Sequence, residues 1–238
     1  VLVRLMSVPG DMRGAADAGL CLHKLVQARL EDIVVQILAA RVTAGGLMQS
    51  VVIMPAAVCT LEHIIHPVEG SRDVALGLGL LLQVVDGVAR LHMRRVYHRG
   101  LNPACVFVYR EGGALRARLS DFATVGFTGS FATNAMPPAV AGARCRAAYK
   151  PYEVLFGELK RTRTHPGLVA ADVYALGVLL CETISGRDPW PQCHTAEDVV
   201  GCHAHGEPMQ FFDAEEVARE ALGGKVDVAL AALRLVRA

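Results

Sequence analysis

The stretch His98-Arg99-Gly100-Leu101-Asn102-Pro103-Ala104-Cys105-Val106 decides how the rest of the chain is read. It opens on two basic side chains, passes a glycine and meets an Asn-Pro step, a composition that interrupts regular structure. Before it lies the clearest helical pattern of the chain. Over residues 73–92, Leu78, Leu81, Val85, Val88 and His92 recur at steps of three and four and predict one apolar face. Gly77, Gly79 and Gly87 weaken that helix by about 1 kcal/mol each relative to Ala, so packing must hold it. After the stretch, Val106-Phe107-Val108-Tyr109 and residues 115–119 flank Glu111-Gly112-Gly113, which predicts a hairpin.

Three further stretches stand downstream. Asp121-Phe122-Ala123 follows the hairpin. Residues 121–153 are irregular and rich in Gly, Thr, Ala and Pro, and loops this long are usually functional. They end on Tyr149-Lys150-Pro151-Tyr152-Glu153. Asp172-Val173-Tyr174-Ala175-Leu176-Gly177-Val178 then opens residues 170–184, apolar nearly all round, which predicts a buried central helix. Upstream, residues 1–8 read as a strand and residues 9–14 as a loop. Residues 20–38 read as a helix carrying Leu25, Ala28, Ile33 and Ile37. Ser50-Val51-Val52-Ile53-Met54 is a short buried strand stopped by Pro55-Ala56-Ala57, with a helical turn at 61–65. Strands first and helices afterwards predict an α+β architecture.

Composition sets the outer limits. With 238 residues the chain forms one or two domains and can bury a core without disulfides or metals. A hydrophobic share of 53% excludes a disordered chain. Lys and Arg number 24 against 23 Asp and Glu, which removes the electrostatic argument for nucleic acid as a partner. Seven cysteines without a CxxC pair suit a reducing, cytoplasmic compartment. The longest apolar stretch, 74–85, is short for a membrane span and contains Gln83. Cys193-His194 and Cys202-His203-Ala204-His205 fit no standard zinc spacing.

The four stretches at 98–106, 121–123, 149–153 and 172–178, in that order and with these elements around them, resemble the eukaryotic protein kinase domain. The resemblance spans residues 1–238 and is best from Ser50 to Trp190. It implies a bilobal α+β fold: a small, incomplete β-rich lobe over residues 1–54, a hinge at 55–57, and a helical lobe over 58–238, cut short at its C-terminal end. The family's glycine-rich phosphate loop would precede residues 1–8; Gly10 to Gly14 and Gly45-Gly46 come too late to serve. A weaker likeness is to the divergent rhoptry kinases of apicomplexan parasites. It rests on the His-Arg-Gly loop, the basic insertion Leu159-Lys160-Arg161-Thr162-Arg163-Thr164-His165 and the Met-Pro hinge, and implies secretion into a host cell. Localisation otherwise stays open.

Residue by residue, the resemblance implies a degenerate site. Gly100 stands where the family's Asp accepts the substrate hydroxyl proton, Asn102 at the Lys position, and Cys105 at the metal-binding Asn. A thiol is a poor ligand for Mg²⁺, which wants oxygen. Asp121 matches the metal-binding Asp, with Phe122 and Ala123 beside it, and would hold any Mg that accompanies ATP. Arg4 stands at the phosphate-pairing Lys, keeping the charge but not the shape, with Glu31 as its candidate helical partner. Met54, Pro55 and Ala57 form the adenine hinge, where a proline keeps its carbonyl acceptor. His98, Arg99 and Asp172 are architectural. Asp121 to Glu153 is the activation segment, in which Thr124, Thr128, Ser130 and Thr133 are candidate phosphosites and Arg99, Arg144 and Arg146 candidate receivers.

Phosphoryl transfer depends on positioning and on electrostatics from metal, Lys and the catalytic Asp. Most of those groups are replaced, so the expectation is a pseudokinase acting as a scaffold or allosteric signalling module with a protein partner. The alternatives are a weakly active or atypical Ser/Thr kinase using Asp121, and a non-functional truncated copy.

Overall fold

The computed structural model describes residues 2–8, 27, 30–43, 48–121, 126–127, 146–155, 165–207 and 209. Strand β1 (Leu2–Val8), β2 (Ala39–Thr43) and β3 (Met48–Met54) form an antiparallel sheet in the order β1-β3-β2. Its register sets Leu2 opposite Met54 and Arg4 opposite Val52. Pro55 ends β3, since a proline has no N–H to continue a ladder. A second sheet joins β4 (Cys59–Thr60), β6 (Val106–Glu111) and β7 (Ala114–Leu119) in the order β4-β6-β7. Gly112 and Gly113 turn the β6–β7 hairpin with φ of 56° and 84°, the left-handed backbone that a two-residue turn demands. A short pair, β5 (Val96–Tyr97) with β8 (Gly126–Phe127), completes the strands among the described residues.

The helices are α1 (Leu61–Ile65), α2 (Val74–Met93), α3 (Tyr152–Leu155), α4 (His165–Ser185) and α5 (Ala196–Ala204). Asp73 caps α2, its carboxylate accepting from the Leu76 N–H at 2.9 Å. From Ala175 to the end of α4 no residue is exposed, as its all-round apolar pattern predicts, whereas Val173 in the earlier turns is 55% exposed. Helices α2 and α4 are each long and apolar enough to cross a bilayer by length and composition, with 44% and 50% of the tested window buried by protein. The main core gathers Leu80, Leu91, Val106, Val108, Leu119 and Leu179.

Three expectations are corrected. The helix over 20–38 does not reach its predicted end. Gln27 is helical, but residues 31–33 form a turn and the chain then runs extended. The β-branched run Ile33-Val34-Val35 is drawn to the hairpin edge: Leu119 N–H donates to Ile33 O at 2.7 Å and Val35 N–H to Leu119 O at 2.8 Å. Glu31 is therefore an exposed turn residue rather than a helix-borne partner for Arg4, and its carbonyl accepts from Arg118 at 2.8 Å. The buried face of α2 is also rotated. It comprises Gly77, Leu80, Leu81, Val84, Gly87, Val88 and Leu91, while Val85 is 42% exposed. Gly77 and Gly87 explain the rotation, because they are contact points. A Cβ on Gly77 would lie 2.8 Å from Thr183 Cγ2 of α4, and one on Gly87 would lie 2.6 Å from Ile33 Cγ2. Third, the basic insertion ends before His165, which is the first residue of α4.

Candidate active site

Asp172, in the second turn of α4, is 1% exposed and organises the loop after β5. Its Oδ2 accepts from the His98 N–H at 2.8 Å and lies 2.9 Å from His92 Nε2 on α2. Its Oδ1 accepts from the Arg99 N–H at 2.7 Å. Arg99 has φ 60°, a backbone conformation that costs a non-glycine residue of order 1 kcal/mol or more and persists only when its surroundings impose it. The buried carboxylate supplies that constraint. His98 is fully buried, and its Nε2 sits 2.9 Å from Ser120 O, which ties the loop to the end of β7.

The tip of the loop is closed upon itself. Asn102 is 4% exposed and caps a 3-10 turn over Pro103–Cys105. Its side-chain oxygen accepts from the Ala104 N–H at 3.0 Å, and its amide donates to Gly100 O at 2.8 Å. Cys105 is 1% exposed and its thiol donates to Asn102 O at 3.0 Å. Asp121 follows β7 with φ 67°, half-buried. Phe122, Ala123, Thr124, Thr128, Ser130, Thr133, Arg144 and residues 159–164 lie outside the described residues.

Residues 54–57, which the resemblance makes the hinge, meet the hairpin's second face. Met54, Val35, Phe107 and Tyr109 form one buried cluster with Ile37 and Ala57 against it. The Tyr109 hydroxyl donates to Pro55 O at 3.3 Å. Burial pushes the Tyr109 hydroxyl above its ordinary range, with Glu111 adding to the rise and Arg118 opposing it, so the group stays a donor. Farther along, Tyr149 donates to Glu182 Oε2 at 2.8 Å, and His66 Nε2 sits 2.8 Å from Glu182 Oε1. Glu182 is fully buried, so one carboxylate of α4 links α1 to the residues that precede α3.

The sequence profile of the protein kinase domain matches residues 51–219. The chain belongs to the protein kinase domain family. It is 29% identical over 139 residues to the serine/threonine-protein kinase ksp1 of Schizosaccharomyces pombe, covering 56% of this chain and 26% of that protein. It is 31% identical over 131 residues to the serine/threonine-protein kinase PkaA of Streptomyces coelicolor, covering 55% and 22%. It is 34% identical over 132 residues to the dual specificity testis-specific protein kinase 1 of Rattus norvegicus, covering 53% and 19%. The chain thus spans about a quarter or less of the length of these relatives.

Kinase domains generally use ATP and Mg, and the donor set of this kinase domain fits that pair only in part. Asp121 offers a hard carboxylate, as Mg²⁺ prefers. Cys105 offers a thiol already sealed under the loop. Pro55 O carries the Tyr109 hydroxyl, leaving its second lone pair for any adenine. Arg4 lies on β1, next to the strand that leads into the hinge. Position 100 has no side chain to take a proton. Glu182, His66, Phe107 and Tyr109 carry no sequence signal of their own, because each acts through a partner distant in the chain. Tyr109 and Phe107 could have been paired by their alternation with Val106 and Val108, which predicts two faces.

Proposed function

We propose that this kinase domain is a pseudokinase, serving as a scaffold or allosteric binding module for a protein partner. What supports the reading is Gly100, which the resemblance sets at the catalytic Asp position, on a loop held by the buried Asp172 carboxylate. Loss of a general base alone costs about 10² to 10⁴ in rate. The loop keeps its support through Asp172 while Asn102 and Cys105 spend their polar groups inside it. A domain that keeps its shape without its proton acceptor is suited to binding. The near-neutral charge, 24 basic against 23 acidic residues, favours a protein over nucleic acid as that partner. The finer likeness to rhoptry kinases belongs to the same proposal and would make the partner a host-cell protein.

The test is a phosphotransfer assay on the full chain with ATP, Mg²⁺ or Mn²⁺ and a mixed Ser/Thr peptide library. The expected result is incorporation no higher than for Asp121→Ala. Incorporation that Asp121→Ala abolishes overturns the reading. A second reading, a slow or atypical Ser/Thr kinase, is favoured by one observation: Asp121 holds a left-handed backbone as Arg99 does, at φ 67°. On that reading ATP raises the melting temperature only when the divalent ion is present.

A further inference from the structure

Helix α5 starts from a tight cap. The Thr195 hydroxyl accepts from the Asp198 N–H at 3.1 Å, and the Asp198 carboxylate accepts from Thr195 N–H at 2.8 Å and His194 N–H at 2.9 Å. Those backbone bonds hold the Asp198 carboxyl below the usual carboxylate range. Two residues before the N-cap Thr195 is Cys193, whose N–H donates to Trp190 O at 2.9 Å. Cys202 sits in the last turn of the same helix. The chain folds back so that the two sulfurs lie 3.4 Å apart. Both cysteines are buried, at 6% and 8% exposure, yet Cys193 is flanked by exposed Gln192 and His194. The amide of Gln192 reaches the Cys202 sulfur at 3.6 Å. The pair therefore lies just beneath the surface, within reach of a small oxidant.

We propose that Cys193 and Cys202 are a modification site, oxidised by peroxide to an intramolecular disulfide. Metal binding is the competing use of two thiols, but among the described residues no group of three His, Cys, Asp or Glu side chains is placed to hold an ion. A disulfide needs the sulfurs at about 2.05 Å, so from 3.4 Å they close by roughly 1.4 Å, about 0.7 Å each if both side chains turn equally. In the first step one thiolate attacks the peroxide O–O bond, giving a sulfenic acid and, after proton transfer, one water. In the second, the other thiolate attacks that sulfur and displaces hydroxide, which takes a proton and leaves as a second water. Two thiols and one hydrogen peroxide become one disulfide and two waters. The bond would fasten the last turn of α5 to the turn below Trp190, making α5 a closed loop.

The experiment uses the full chain, reduced, then treated with graded hydrogen peroxide. Free thiols are blocked in denaturant with N-ethylmaleimide and the digested chain is weighed. Sulfoxide at Met93, 73% exposed, gauges the dose. The expected result is a peptide holding Cys193 and Cys202 that lacks two hydrogens, takes no maleimide, and recovers both thiols with dithiothreitol. Two maleimides on that peptide at a dose that oxidises Met93 overturn the proposal, and so does sulfenic or sulfinic acid without the cross-link. In Cys202→Ser, Cys193 should stop at the sulfenic acid and be trapped by a cyclic 1,3-dione. If that variant fails to fold, the wild-type masses decide alone. The melting temperature of the oxidised chain should hold or rise by up to about 4 °C. A fall would mean that the bond forms only by distorting α5, and would overturn the claim that the native arrangement accommodates it.

Discussion

The root and the tip of one loop behave differently. At the root, the buried Asp172 carboxylate receives backbone donors from buried His98 and half-buried Arg99 and faces half-buried His92. At the tip lie Gly100, which has no side chain, and Asn102 and Cys105, whose polar atoms are turned inward. The root depends on a buried carboxylate, whose loss exposes several unmet donors. The tip depends on short local bonds, each worth little. A loop can therefore change its chemistry at the tip at small cost in stability, provided that the root stays.

Replacing Asp172 by Ala attacks the root and should have the largest effect. It strips the carboxylate from two backbone N–H groups, the buried one of His98 and the part-buried one of Arg99, and the expected loss is about 3–5 kcal/mol, read from urea or thermal melts. A loss below about 1 kcal/mol would erase the contrast. At the tip, Asn102→Ala removes the cap of the 3-10 turn and should cost about 1 kcal/mol in the same melts.

Helix α5, remote from the loop, offers a smaller, pH-dependent comparison. His203 packs on Trp190 at 5.3 Å between ring centroids, and burial pulls its pKa below the ordinary value, with Glu153 pulling weakly upward. A histidine whose folded value is depressed favours folding above the unfolded value of about 6.5, and that gain is lost as pH falls through the lower folded value. The melting temperature should therefore drop between pH 7.5 and pH 5, and His203→Gln should make the drop shallower by a few degrees. Equal slopes would show that α5 takes no part in the acid response. The smallest effect belongs to Gly100→Asp, at a half-buried position of the tip. It should change stability by no more than about 0.5 kcal/mol. A larger loss would mean that the tip supports the fold after all.

The hairpin, both long helices and the loop between them were readable from the sequence, because each rests on local periodicity or on turn chemistry. Helix α4 was readable but began earlier than its apolar pattern, at His165. What escaped depends on contacts between distant segments. Ile33 and Ile37 sit at helical spacing, yet after the turn at 31–33 pairing with Leu119 wins residues 34–38 for extended structure. The glycines of α2 counted locally as weaknesses, while Thr183 and Ile33 need the space beside Gly77 and Gly87. Strands β5 and β8 are two residues each, too short for any pattern. At the site, the burial of His98 and Asp172 suits the architectural roles that the resemblance implied for them. The inward turn of Asn102 and the bond from Tyr109 to Pro55 could not be read from the sequence, since neither follows from residue type.

The β6–β7 hairpin sends Val106 and Val108 into the main core and Phe107 and Tyr109 toward Met54 and Ala57. A slip of one residue would exchange the two pairs, pushing two aromatic rings into space cut for valines and leaving Pro55 O without its hydroxyl donor. The tight turn at Gly112-Gly113 prevents that slip by fixing Glu111 opposite Ala114. Two exposed glycines thus act as a spelling check on the packing around Pro55, where an insertion would be felt many residues from where it occurred.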